Sequence, residues 1–132
     1  MTIPGEPCAK ARPRVTRAGI TYTPAKTVNY ETLVKELFCV GYPDHRPVDI
    51  PVRMLLRAYF SIPKSWSKKK QWEAQLGTIR PTKRPDWDNV GKLISDALNG
   101  LAYKDDAQIV EATTAKWYSD RPRLEIEITE VE

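Results

Sequence analysis

One stretch of the sequence, residues 84–106, limits what the chain can fold into more than any other, because it specifies a helix together with both of its ends. Pro85 keeps the residue before it extended and Asp86 is a favourable N-cap, so the helix is predicted to begin near Trp87. Apolar residues then recur at helical spacing, at Val90, Leu93, Ile94, Ala97 and Leu98. The pair Asn99-Gly100 predicts the end of the helix, since glycine adopts a left-handed conformation at little cost.

The same stretch carries five aspartates, namely Asp86, Asp88, Asp96, Asp105 and Asp106. Asp88, Lys92 and Asp96 are spaced i, i+4, i+8 and therefore share one edge of the predicted helix. The chain turns back after the helix, which can bring Asp105 or Asp106 beside the helix N-terminus. Crowded carboxylates repel one another, and a cation that prefers oxygen ligands, such as Mg²⁺ or Mn²⁺, relieves that repulsion. The pattern predicts a site for a divalent cation.

Lys92, on the same helix edge as Asp88 and Asp96, indicates the kind of reaction that such a cation site can support. Lys92 places positive charge one turn beyond Asp88, which suits a site where a phosphodiester gains negative charge in the transition state. The residues thus indicate metal-assisted phosphodiester hydrolysis. A structural alternative is that Asp86 caps the helix and that Asp88 and Lys92 form an ordinary pair worth about 0.2–0.5 kcal/mol. Spacing alone favours neither interpretation, but it excludes an EF-hand, because Val90 and Ala97 occupy the fifth and twelfth positions, which require oxygen ligands.

Three motifs lie in and just after this stretch: Pro-Asp-Trp-Asp-Asn-Val-Gly-Lys at 85–92, Asp-Ala-Leu-Asn-Gly at 96–100, and Tyr-Lys-Asp-Asp-Ala-Gln-Ile-Val at 103–110. Together with residues 5–14, 22–24 and 63–67, they resemble the RusA family of Holliday junction resolvases. The similarity covers nearly the whole chain. Its most specific parts are the patterns Asp-x-Asp-Asn-x-x-Lys and Asp-Asp-x-Gln.

The resemblance implies a small, dimeric endonuclease that requires Mg²⁺, with Mn²⁺ as a substitute, and makes paired cuts in four-way DNA junctions. The catalytic acids and metal ligands of the family fall on Asp86, Asp88 and Asp106, and its essential lysine falls on Lys92. Trp87 stands where a smaller aliphatic residue is usual. Residues that can orient the ligands or cap the helix form a second tier: Asn89, Asp96 and Asp105.

Two basic segments point to a polyanionic partner, in a chain of 132 residues with a net charge of +4. Residues 10–26 contain no acid and are punctuated by Pro and Gly, which predicts a loop that contacts DNA phosphates without reading sequence. Residues 64–84 contain a single acid, Glu73. The first segment can also be a solvated basic loop, and the second is predicted to grip phosphates that flank the cut site. The predicted DNA contacts are Lys10, Arg12, Arg14, Arg17, Lys68, Lys69, Lys70, Lys83 and Arg84.

Two further helices are predicted before the acidic one. Thr27 can cap a helix that ends before Gly41, with an apolar face formed by Tyr30, Leu33, Val34, Leu37 and Val40. Residues 65–76 are predicted to form a short helix. Its tryptophans, Trp66 and Trp72, can stack on exposed bases, although tryptophan in a short amphipathic helix is more often part of the core.

Alternation of apolar and polar residues predicts the strands. Residues 52–60 alternate, with Val52, Met54, Leu56, Ala58 and Phe60 on one face, and are predicted to form a central strand. Residues 108–118 and 123–131 are predicted to pair with each other across a hairpin turn at Asp120-Arg-Pro. These elements predict an α+β fold, a single compact domain over residues 1–132 with a mixed β-sheet and helices packed against it.

The cysteine and histidine content and the absence of long apolar runs indicate where the protein is located and which metal sites are not expected. With only Cys8 and Cys39 and no signal peptide, a reduced, cytoplasmic protein is expected. A zinc site is not predicted, because His45 is the only histidine. No run approaches the roughly 18 apolar residues of a membrane span, so no membrane partner is expected. A nuclease that prefers flaps or forks and a non-catalytic DNA-binding module remain the alternative functions.

Overall fold

The computed structural model describes residues 1–10, 14–22 and 24–131 of the chain. Within these residues the elements are, in order, β1 (Thr2–Pro4), β2 (Arg14–Val15), β3 (Thr21–Tyr22), α1 (Ala25–Gly41), β4 (Val52–Ser61), α2 (Lys68–Gln75), α3 (Trp87–Ala97), a 3-10 turn (Asp106–Gln108), β5 (Ile109–Ser119) and β6 (Arg123–Glu130). One sheet has the strand order β1-β6-β4-β5, and β2 and β3 form a separate hairpin. The single compact α+β domain with a mixed sheet is confirmed.

Strand β4 lies at the centre of the sheet, as predicted. Every second side chain along it is buried, namely Val52, Met54, Leu56, Ala58 and Phe60. It pairs with β5 in parallel and with β6 antiparallel, so its backbone is hydrogen-bonded on both sides. These five side chains belong to the same core cluster as the buried residues of α1 and α3.

The prediction that the last two strands pair with each other is wrong. Strand β4 lies between β5 and β6, so the turn at Asp120, Arg121 and Pro122 carries the chain across the end of β4. This crossing spans two interstrand distances, roughly 10 Å. The four Cα steps from Ser119 to Arg123 reach roughly 13 Å when extended, which is sufficient. A short turn between two strands therefore fits either connection.

The limits and buried face of α1 differ from the prediction. The helix begins at Ala25, with Pro24 at the N-cap, and it includes Gly41. The fixed φ of proline, here −54°, suits the start of a helix. Phe38 is part of the core, whereas Val40 is 79% exposed, so placing Val40 on the apolar face was wrong.

The short helix α2 is shorter than predicted, because Ser67 caps it by accepting a hydrogen bond from the Lys70 N–H at 3.2 Å. Trp66 therefore precedes the helix, and its ring packs edge-on against Tyr118 with 5.3 Å between ring centroids. Trp72 is exposed and is not a core residue. Among the helices within the described ranges, none combines the length and apolar character needed to traverse a bilayer.

Candidate functional site

The acidic helix α3 forms where the sequence predicts it and presents its first turn to solvent. Its buried side chains are Val90, Leu93, Ile94 and Ala97. Gly91 faces β5, where a Cβ atom would make an ordinary van der Waals contact with the Thr114 Oγ1 at 3.7 Å. Asp86 occupies the N-cap position, and Asp88 lies in the first turn. Packing of the opposite face against the sheet therefore holds both exposed carboxylates at one end of a fixed helix.

Two of the five aspartates are engaged within the protein. The Asp96 carboxylate lies 3.5 Å from the Lys10 Nζ and 3.9 Å from the Lys92 Nζ. The Asp105 carboxylate accepts a hydrogen bond from the Ala107 N–H at 3.3 Å and caps the 3-10 turn. The positioning roles predicted for both residues stay predictions.

The other three aspartates are available for a ligand. In the described part of the chain, the carboxylates of Asp86, Asp88 and Asp106 have no ion pair and accept no hydrogen bond from another residue. Asp86 in particular occupies the cap position without forming a side-chain cap among these residues. The three unpartnered acids are the same three that the sequence predicts as metal ligands. As oxygen donors without competing partners, they fit a hard divalent cation chemically.

Asp106 is placed by a buried tyrosine. The Tyr103 hydroxyl donates a hydrogen bond to the Ser95 carbonyl oxygen at 2.7 Å, which ties the returning chain to the second half of α3. Burial raises the pKa of Tyr103, and the nearby negative charges of Asp106 and Asp96 raise it further. The effect of its charge indicates that Asp106 lies near Tyr103. Across the described ranges, no three His, Cys, Asp or Glu side chains are grouped closely enough to hold a metal ion, so the ligand set stays a prediction.

An open cleft of about 740 Å³ lies beside the N-terminus of α3, and we call it the basic cleft. Its cations come from four separate places in the sequence: Lys10, Arg14, Lys26 and Arg84. Asp86 is the one carboxylate among its described lining residues, and Asn89 lies next to it. A surface with four cations and one acid favours a polyanion along the path that leads to Asp86.

A second opening, about 200 Å³ in volume, lies between α3 and β5, and we call it the α3–β5 groove. Trp87, Asp88, Gly91 and Ser95 line it from the helix, and Thr114 is among its lining residues from β5. Asp86 and Asp88 thus line different openings.

The two lysines near the acids differ in how strongly they are held. The Lys10 Nζ lies 2.6 Å from the Glu31 carboxylate, and this hydrogen bond raises the pKa of Lys10. The Lys92 ammonium is exposed and contacts Asp96 only at 3.9 Å, a distance too long for a hydrogen bond. Exposed pairs of this kind contribute about 0–1 kcal/mol, so Lys92 can turn toward a ligand at little cost.

The other predicted DNA contacts are spread over the surface. Residues 14–22 form the β2–β3 hairpin instead of the predicted loop, because Gly19, with φ of 80°, permits a tight turn. Arg17 lies in that turn and is exposed, whereas Arg12 lies outside the described residues. Lys68, Lys69 and Lys70 form the exposed first turn of α2, and Lys83 is exposed in the segment before α3.

Lys26 lines the basic cleft although it is not among the predicted contacts. Its position inside the acid-free segment 10–26 is the signal in the sequence that points to it. Helix α1 begins at Ala25, earlier than predicted. Lys26 therefore lies in the first turn of the helix, beside the cleft.

Known proteins are similar to this chain across the whole region that contains α3 and the basic cleft. The family described as Endodeoxyribonuclease RusA matches residues 4–129. YqaN, an uncharacterized protein of Bacillus subtilis (strain 168), is 43% identical over 138 residues, which cover 98% of this chain and 94% of YqaN. A protein of Lactococcus phage r1t named crossover junction endodeoxyribonuclease rusA is 34% identical over 84 residues, or 63% of this chain and 57% of the phage protein. The family match includes the acidic helix, the 3-10 turn and the residues of the basic cleft.

Proposed function

The chain belongs to the RusA family of endodeoxyribonucleases, and from this premise we propose that it resolves four-way DNA junctions by metal-dependent hydrolysis of two phosphodiester bonds. The observation that carries the proposal is the set of three unpartnered carboxylates, Asp86, Asp88 and Asp106, one of which lines a cleft with four cations. We place this activity in DNA recombination and repair, where four-way junctions arise. A reducing cytoplasm is consistent with the free cysteines Cys8 and Cys39.

The cationic surface binds the DNA backbone. Arg14, Lys26 and Arg84 line the basic cleft with ionic side chains for phosphates, and Lys10 is oriented there by Glu31 and Asp96. Contacts of this kind fix the position of the DNA without reading its sequence.

The acids and Lys92 perform the chemistry in this proposal. Asp86, Asp88 and Asp106 would hold Mg²⁺, with Mn²⁺ as a substitute, through carboxylate oxygens. The bound cation supplies Lewis acidity toward the scissile phosphate and the attacking water. Lys92 neutralises negative charge that develops on the phosphate.

The second-tier residues position the others. Asp96 lies 3.5 Å from the Lys10 Nζ and helps to orient that ammonium group, whereas its contact with the exposed Lys92 is weak. Asp105 caps the turn that carries Asp106. The Asn89 carbonyl oxygen accepts a hydrogen bond from the Lys10 N–H at 3.1 Å, which attaches the N-terminal segment to α3.

Cleavage rates on DNA molecules of different branch structure identify the substrate. Labelled four-way junction, fork, flap and duplex DNAs of matched sequence are incubated with the protein in Mg²⁺ or in EDTA. We expect paired cuts in the junction and none in the duplex. Faster cleavage of a fork or flap identifies a different structure-selective nuclease, and binding without cutting of any substrate identifies a non-catalytic module.

Paired cutting also requires two active sites. A four-way junction offers two equivalent scissile phosphates, whereas one 15.1 kDa chain carries one set of the proposed catalytic residues. A dimer with two-fold symmetry presents two sets related by the symmetry of the junction. Sedimentation at micromolar concentration is therefore expected to give the mass of two chains. A strictly monomeric protein contradicts the dimer and leaves only independent nicking.

A further inference from the structure

Trp87 is an exposed tryptophan inside the proposed active site. Its side chain is 62% exposed, and none of the described residues forms a ring or cation contact with it. Two other tryptophans are covered: Trp66 packs against Tyr118, and the Arg80 guanidinium lies 3.3 Å from the ring centroid of Trp117. An uncovered indole is a large apolar surface with a flat face that can bind a partner.

The position of this indole relates it to both openings of the site. Trp87 is the first residue of α3, between Asp86, which lines the basic cleft, and Asp88, which lines the α3–β5 groove with Trp87 itself. The indole therefore lines the α3–β5 groove, one residue after the acid that lines the basic cleft. If a DNA strand places its phosphates on the cations of the basic cleft, its bases near Asp86 come close to Trp87.

The surroundings favour a nucleic acid over a protein partner. Protein interfaces are depleted of charged residues at their centres. Trp87 is instead flanked by two carboxylates, and the cation Arg84 lies three positions before it. An exposed flat aromatic on a DNA-binding protein can hold an unpaired base, since every base offers a π-face for stacking.

We propose that Trp87 is a wedge that stacks on a base at the branch point and holds it apart from its neighbours, so that the scissile phosphate reaches the acids. This inference rests on the proposed function. Trp87 is then a positioning residue. Its removal affects the opening of the branch point and leaves the phosphate contacts unchanged.

The test compares an intact four-way junction with one that carries two unpaired bases at the branch point. Trp87→Ala is expected to cut the intact junction about 10- to 100-fold more slowly than the wild type, as expected for the loss of one stacking contact. On the opened junction it is expected to cut within a few-fold of the wild type. Trp87→Phe, which retains a ring, is expected to restore most of the rate on the intact junction.

Binding provides a readout that does not depend on cleavage. A 2-aminopurine is placed at the branch point, and saturating protein is added in EDTA. The wild type and Trp87→Phe are expected to change its fluorescence, whereas Trp87→Ala leaves it close to that of the free junction.

The matched control is Trp72→Ala, since Trp72 is equally exposed at 63% but lies on α2. This control is expected to retain the wild-type ratio of rates on the two junctions.

Three results overturn the wedge: equal losses of Trp87→Ala on both junctions, a wild-type rate of this variant on the intact junction, or its conversion from a dimer to a monomer. The last result identifies Trp87 as a protein contact. If the wild type cuts neither junction, the proposed function fails separately, and the fluorescence in EDTA still decides whether Trp87 separates the bases.

Discussion

Replacement of Asp88 by Asn is expected to lower turnover on a four-way junction by about two to three orders of magnitude, while the fold and junction binding are retained. Asparagine keeps the size of the side chain but removes the negative charge that a divalent cation requires. The fold is retained because the Asp88 carboxylate is exposed and, in the described ranges, has no ion pair to lose. Single-turnover rates, circular dichroism and gel-shift titration measure the three properties separately.

The other proposed catalytic residues give companion variants. Asp86→Asn, Asp106→Asn and Lys92→Ala are expected to behave like Asp88→Asn. Asp120→Asn is the control, because Asp120 lies in the distal turn between β5 and β6, where its carboxylate accepts a hydrogen bond from the Ser119 hydroxyl at 3.3 Å. Full activity in Asp88→Asn contradicts the assignment of the acids.

Chelation of divalent cations is expected to abolish cleavage and to leave junction binding largely intact. Binding is attributed to the basic cleft and to Lys68, Lys69 and Lys70, none of which requires a metal ion. Affinity should instead fall with salt, with a slope of roughly −0.9 per phosphate contact in duplex arms. Gel shifts and cleavage assays in EDTA, followed by an excess of Mg²⁺, separate the two effects. Undiminished cleavage in excess EDTA contradicts the role given to the carboxylates.

The sequence predicts those parts of the fold whose signals are local and strongly periodic. The helix α3 and the central strand β4 form as predicted, because their buried faces repeat every three to four and every two residues. The order of strands depends instead on long-range competition for the centre of the sheet. Strand β4 takes that place with five buried side chains, and a three-residue turn does not reveal the crossing.

Local signals also place part of the proposed site. The positions of Asp86, Asp88 and Lys92 follow from the predicted helix, but that they act together in one site stays a prediction. Asp106 is placed by contacts between distant residues, since Tyr103 binds the Ser95 carbonyl and the Lys104 N–H donates to the Val48 carbonyl at 3.1 Å. The prediction that the returning chain meets the helix N-terminus depended on such contacts, which a local pattern does not contain.

The basic cleft likewise joins cations of the segment 10–26 with Arg84, which is distant in the sequence. The pairing of Lys10 with Glu31 and Asp96 spans α1 and α3. A list of basic residues therefore predicts a partner with negative charge but not which cations share one surface.

Cleavage of a supercoiled plasmid that extrudes a cruciform tests the central claim most directly. The proposed dimer cuts both strands of the junction within one encounter, so we expect linear plasmid in Mg²⁺ as the first product, with no product in EDTA. Asp88→Asn is expected to leave the plasmid supercoiled at the same protein concentration. Nicked plasmid as the only product, or linear plasmid formed equally without a divalent cation, contradicts a metal-dependent resolvase that makes paired cuts.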